Sequence, residues 1–201
     1  APDIYLIDSS ELEAAYGYGL ASINDDSIYN RENYSETALN AITYKGKYVA
    51  YPFTFDTSFL IYNTSYFEQA PETFESIVTY AKKFDSAENP DIKHIMYWNV
   101  TDIFHNYLFV GKYLNVGGKC GDDKTVINIS SDDVKSTFSY YTELSKVFKI
   151  DMEDDFSKMT DDFLNGQIAC MIITMKEFDA IKNAENPNGV KYETCEIPML
   201  N

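Results

Sequence analysis

One acid stands inside the most apolar stretch of this chain. In "YKGKYVAYPFTFDTSFLIYN", residues 44 to 63, Asp56 follows Tyr51, Phe53 and Phe55 and precedes Phe59, Leu60 and Ile61. A carboxylate buried there without a partner would cost several kcal/mol. Asp56 is therefore expected either at a cleft, as a hydrogen-bond acceptor, or on an outward-pointing strand position. Aromatic residues supply the second kind of chemistry. Trp98, the sole tryptophan, ends the run "KHIMYW", and loops at strand ends build sites in open α/β sheets; the alternative is core packing. Phe104, Tyr107 and Phe109 with His105 are expected near a helix start, as core or as a ligand platform.

Other chemistries find no support in the residue spacing. His94 and His105 have no partner at a metal-ligand spacing, and GxSxG, GxxxxGK and GxGxxG are all missing. "GGKCG" follows an expected helix rather than a strand and is read as a turn. "DMEDDFSKMTDD", residues 151 to 162, carries acids at the wrong positions for a calcium loop. It fits the solvated start of a helix, where acids complement the dipole. Cys120, Cys170 and Cys195 form no CxxC, and an odd number cannot all pair within one chain. These features imply no metal, no cofactor and no catalytic group.

Composition narrows the partners. The 201 residues are 45% hydrophobic, enough for a core of one large domain or two small lobes. A formal net charge of −16 excludes phosphate neutralisation by a basic surface, hence non-specific nucleic-acid binding. No run of about 18 apolar residues spans a membrane. The opening "APDIYLID" has no leader-like composition, so an export signal has been removed or the chain is a piece of something longer.

The positioning elements follow from periodicity. "PDIYLI" reads as a buried strand, with Ser10 capping a short helix that ends near Gly17 or Gly19. Lys45-Gly46 is a turn pair, and strands are expected over 47–51 and 57–62, with Pro52 as the joint between them. Thr73 caps a helix whose face is Phe74, Ile77, Val78, Ala81 and Phe84. "KHIMYW" is a strand, "DIFHNYLFVGKYLNVGG" a helix stopped by Gly117-Gly118, and a helix beginning with Ser130 and Asp133 runs to Phe148. "SKMTDDFLNG" is a helix ending at Gly166, "IACMIIT" a fully buried strand flanked on both sides in a mainly parallel sheet, "KEFDAIKNA" a helix and "VKYETCEIP" a final strand. Strands alternating with helices, without tandem hairpins, give an α/β class.

Several stretches then resemble a family. "APDIYLIDSSELEAAYGYGLASIND" is similar to the "PDI" strand, ligand-contacting loop and "GLL" turn of bacterial extracellular solute-binding proteins of the maltose-binding type. "YKGKYVAYPFTFDTSFLIYN" resembles their "NGKLYAIP" hinge passage ending in "LxYN". "APETFESIVTYAKKF" resembles "PPKTWEE", "FLNGQIACMI" resembles "FxxGKAAM", and "YETCEIPMLN" the strand ending in "LP". The order of the five motifs makes the resemblance specific. It implies an internal fragment of a periplasmic-binding-protein-like type II fold. Residues 1–53 would be part of the N-terminal lobe and 54–201 part of the C-terminal lobe, with hinges near 51–57 and 197–201. It further implies a small ligand, most of all a carbohydrate, held between lobes and delivered to the membrane subunits of an ABC importer. The location would be extracytoplasmic, periplasmic or on a cell-surface lipoprotein.

The same resemblance implies site residues. Asp8, Ser9 and Ser10 fall on the ligand-contacting loop, Asp56 would accept hydrogen bonds from hydroxyls, and Trp98 and Phe104 would stack. Lys176 stands where sugar-binding members carry a Trp, which leaves room for an anionic or smaller ligand, or makes it a solvated first-turn residue. Two competing functions are a degenerate lobe serving as a sensor or protein-interaction module, and a glycoside hydrolase, which needs a second carboxylate facing Asp56. The strip 1–45 lacks neighbours to bury "PDIYLI" and is expected to self-associate or to be completed by further polypeptide.

Overall fold

A computed structural model describes residues 3–25, 27–84 and 87–199, without the side chain of Phe104. The chain divides into two compact units, Ala1–Phe55 with Leu114–Ile129, and Asp56–Tyr113 with Ser130–Asn201.

In the second unit, four strands form one sheet in the order β4-β7-β3-β8: β3 Phe59–Asn63, β4 His94–Tyr97, β7 Ile168–Ile173 and β8 Tyr192–Cys195. All six residues of β7 are buried. Burying each Ile or Met side chain is worth about 1.5–3 kcal/mol, so this strand needs neighbours on both edges and both faces. Its edges are filled by β4, parallel, and β3, antiparallel, with Ile61 opposite Met171 and Tyr62 opposite Cys170. One face of the sheet packs on α6 Phe156–Leu164 and α7 Met175–Asn183, where Ile61, Met171 and Ile173 meet Met159, Phe163 and Ile181. A second cluster joins α3 Phe74–Lys83, α4 Ile103–Val110 and α5 Asp132–Phe148, through Phe74, Phe109, Tyr141 and Phe148 around Trp98.

Local chemistry sets the helix ends. The Thr73 hydroxyl accepts the Ser76 N–H at 3.1 Å, and Lys82 and Lys83 occupy the last turn of α3. Asp155 caps α6. At the other end Gly166 adopts φ +76°, with the Gln167 N–H bonding the Asp162 carbonyl and the Gly166 N–H that of Phe163. This paired closure requires a left-handed residue, for which glycine has no Cβ penalty.

The first unit is assembled differently. A 3-10 turn, Ser9–Glu11, runs into α1 Leu12–Gly17. Helix α2 Glu36–Ala41 precedes a hairpin of β1 Thr43–Tyr44 and β2 Lys47–Tyr48. Lys45 and Gly46 both have positive φ, 49° and 72°, as a two-residue hairpin turn demands. A second hairpin, β5 Asn115–Gly117 with β6 Asp123–Asn128, joins this unit through polar contacts. The Lys45 N–H donates to Asp122 Oδ2 at 2.6 Å, Lys124 Nζ meets Glu13 Oε1 at 2.9 Å, and Lys119 pairs with Glu36.

Several expectations are corrected. Residues 3–7 of "PDIYLI" form no strand, and Ile4 is 82% and Leu6 78% exposed, because no strand pairs with them among the described residues; Pro2 lies outside those residues. The strand over 47–51 contracts to Lys47–Tyr48, ahead of the Pro52 break. The fourth helix stops at Val110, and Asn115–Gly117 is a strand. The cap of α5 is Ser131, one residue later than Ser130. The sheet is mixed, with one parallel and two antiparallel pairs, and two hairpins are present.

Truncating Ile172 to Ala is expected to cost about 2–5 kcal/mol by urea denaturation, since a fully buried site cannot collapse around the void. The exposed Ile4→Ala change should stay within about 0.5 kcal/mol.

Candidate functional site

The chemistry suggested by Asp56 is built at the head of α7. Strand β7 delivers the chain to Thr174, which starts the helix with a reciprocal cap. Thr174 accepts the Lys176 N–H at 3.3 Å, while Glu177 Oε2 accepts from the Thr174 N–H at 3.0 Å and its hydroxyl at 2.7 Å. Asp56 approaches from the segment before β3. Its Oδ1 accepts the Met175 N–H at 3.2 Å and the Thr57 N–H at 2.8 Å. An exposed carboxylate is thus held on the positive end of a nine-residue helix, a favourable placement for negative charge.

Lys176 lies exposed in the first turn of α7, near the same head. His105, on the first turn of α4, is buried against the ring of Phe156 at 5.5 Å between centroids. Burial pushes its pKa below the ordinary imidazole value, against the opposing charges of Asp102, Glu177 and Asp56. The helix N-terminus is occupied by protein acceptors, and acids surround it.

The remaining expected residues distribute as follows. Trp98 is corrected to a packing residue: it is 0% exposed, boxed in by Phe109, Tyr141 and Phe148, with its Nε1–H donating to the Tyr141 hydroxyl at 3.4 Å. Its apolar faces are consumed by the core, so it presents no stacking surface here. The Phe104 backbone lies on α4, and its side chain is outside the described residues. Asp8, Ser9 and Ser10 are exposed in the first unit. There Asp8 caps the 3-10 turn by accepting the Ser10 N–H at 2.9 Å, a bond that holds its carboxyl below the usual range. Sequence reasoning missed Glu177 and Thr174, although the Thr-x-x-Glu spacing is a legible capping signal. It weighed His105 as a metal ligand and as a member of the aromatic helix start. No cluster of metal-binding side chains occurs among the described residues.

A pH dependence follows. A histidine whose folded pKa is depressed binds its proton more readily in the unfolded chain. Stability is therefore full above about 6.5, the ordinary value, and declines as pH falls from there toward the folded pKa. Thermal melts should show a lower midpoint at pH 5 than at pH 7, and His105→Gln should flatten that part of the profile. Losses from Asp8, Asp123 and Asp155, all held low by hydrogen bonds, come later, below about pH 4.

Comparison with known proteins gives this geometry its setting. The maltotriose-binding protein of Pyrococcus abyssi (strain GE5 / Orsay) is 24% identical over 180 residues, covering 89% of this chain and 36% of that protein. The crystal structure of a cyclo/maltodextrin-binding protein complexed with maltotetraose matches with a TM-score of 0.77 at 19% identity, over 96% of this chain and 49% of that one. The fold is therefore that of the type II periplasmic-binding class. The chain spans about a third of the first relative's length and about half of the second's. The family description "bacterial extracellular solute-binding protein" matches residues 1–198, and the chain belongs to that family.

Proposed function

We propose that this chain is part of an extracytoplasmic solute-binding protein that takes up a carbohydrate between two lobes and presents it to an ABC importer. The observation that carries the reading is Asp56: the first residue of the second unit, exposed, and fixed by two backbone N–H groups on α7. A carboxylate so held is a preorganised acceptor for vicinal hydroxyls, and charged acceptors form the stronger hydrogen bonds. Family membership and the sugar ligands named for the two similar proteins support the same class. Binding, not catalysis, is the assigned activity.

Two further parts of the reading rest on chain path. Leu60 pairs with Cys195, which brings residues 57–58 alongside 194–197 at one end of β3 and β8. Side-by-side strands leaving a unit together suit a hinge, so the segments 51–57 and 197–199 are proposed as its connections; residues 200 and 201 of the expected second hinge lie outside the described residues. Ligand contacts would then favour a closed population that the importer recognises. Anchoring as a periplasmic or cell-surface lipoprotein belongs to the same proposal.

Calorimetry with maltotriose, maltotetraose, single hexoses and a hexuronate tests the ligand class. The neutral sugars should bind and the uronate should not; uronate binding in preference to every neutral sugar would sink the reading. Asp56→Ala should weaken sugar binding by roughly 10- to 100-fold, the size of a lost charge-assisted hydrogen bond. The exposed Ile4, Leu6, Phe53 and Phe55 further support self-association of the isolated chain. Light scattering should report a mass above the monomer's 23.0 kDa.

A further inference from the structure

The head of α7 satisfies all but one of its first N–H groups from within. A helix leaves these groups without an acceptor in its own backbone ladder. Here Glu177 Oε2 accepts the Thr174 N–H at 3.0 Å and the Thr174 hydroxyl at 2.7 Å, while the Thr174 hydroxyl oxygen accepts the Lys176 N–H at 3.3 Å and that of Glu177. The Phe178 N–H returns to the Thr174 carbonyl at 3.0 Å. Only the Met175 N–H finds no acceptor on the helix, and it goes to Asp56 Oδ1 at 3.2 Å. The same oxygen takes the Thr57 N–H at 2.8 Å. Both lone pairs of Oδ1 are thus occupied, and Oδ2, with two of its own, has no hydrogen-bond partner among the described residues.

The direction of the Met175 N–H is set one residue earlier. That N–H lies in the planar peptide unit joining Thr174 to Met175, and the tilt of the plane follows the ψ angle of Thr174, 178° in an extended conformation outside the helix. The helical ladder does not hold an N-cap residue at such an angle; the two bonds to Glu177 do. Thr174 and Glu177 are half-buried, whereas Asp56 is exposed. We propose that Glu177, acting through Thr174, is a positioning residue for Asp56: the reciprocal cap aims the one outward-bonding N–H of α7, which pins Oδ1 and leaves Oδ2 for a ligand hydroxyl. The helix body is anchored independently, since Phe178 packs edge-on against Phe59 at 5.6 Å and Ile181 is buried in the core beside the sheet. Loss of the cap therefore turns one peptide plane and does not displace α7. The pinning of Oδ1 stands on the hydrogen bonds alone; the ligand hydroxyl rests on the carbohydrate reading above.

Two readouts on the 201-residue chain test this. In hydrogen exchange without ligand, Glu177→Ala should lower the protection of the Met175 amide roughly tenfold, the size of one lost hydrogen bond. Glu177→Gln, which keeps a carbonyl oxygen for the Thr174 N–H, should retain that protection. Asp56→Ala should expose the same amide while the Phe178 amide stays protected. In calorimetry with maltotriose, Glu177→Ala should weaken binding roughly 3- to 10-fold. Added to Asp56→Ala it should weaken binding no further, because residues acting through one network are not additive. Should Glu177→Ala fail to fold, Thr174→Ala against Thr174→Ser carries the same comparison, the serine keeping the hydroxyl. A Met175 amide equally protected with and without the cap, or affinity losses from Glu177 and Asp56 that add, overturns the proposal. Failure of every sugar to bind leaves the exchange experiment to decide it and counts only against the carbohydrate reading.

Discussion

The burial of β7 is the constraint from which the second unit follows. Six consecutive residues, Ile168–Ile173, are sealed on both faces, and a strand with no polar face cannot sit at the rim of a sheet. Its backbone must be paired on both sides, which recruits β4 and β3. Its side chains must be covered above and below, which recruits helices from both sides of the sequence. The glycine closure at Gly166 and the cap at Thr174 bracket the strand, so its register and its exit direction are both determined within a few residues. A one-residue slip would exchange the residues presented to the two helical layers.

That exit direction creates the site. Because β7 ends at Thr174, the positive end of α7 emerges at the same end of the sheet where β3 begins at Phe59, its antiparallel partner opposite Ile173. The segment entering β3 therefore passes the head of α7, and Asp56 is three residues upstream, within reach of the Met175 N–H. The acid in the apolar stretch needs no burial to be stabilised. It needs the helix dipole and two N–H donors, which the antiparallel pairing supplies.

The first unit obeys a different balance. Its buried apolar residues are few and small in extent, Leu12, Ala15, Leu39, Ile42 and Val49, while Ile4, Leu6, Phe53 and Phe55 remain exposed. Its two hairpins are short, and the contacts that tie β5 and β6 to the remainder are charged pairs such as Lys124–Glu13, with both side chains largely in water. Such pairs contribute about 0–1 kcal/mol each. Cohesion of this unit rests on little core, in contrast to the closed sheet of the second.

Much of this was legible in the residues themselves. The all-apolar run at 168–173, the Thr73 cap, the Lys45-Gly46 turn and the closing Gly166 are local signals, because each depends on side chains within one turn or strand, and each appears where the sequence places it. The motif order likewise identified the family before any fold was seen. Strand direction was not legible: whether β3 lies antiparallel to β7 depends on how the chain returns, and periodicity along one strand is the same for either sense. For the same reason residues 114–116 read as the tail of a helix, since apolar residues there serve a hairpin in another unit. Trp98 and His105 show the limit most plainly. Local sequence placed one at a strand end and the other at a helix start, but only the packing of α3, α4 and α5 decided that the tryptophan is consumed by the core. Burial is a property of what arrives from elsewhere in the chain, and so the buried imidazole against Phe156 exists only in the folded molecule.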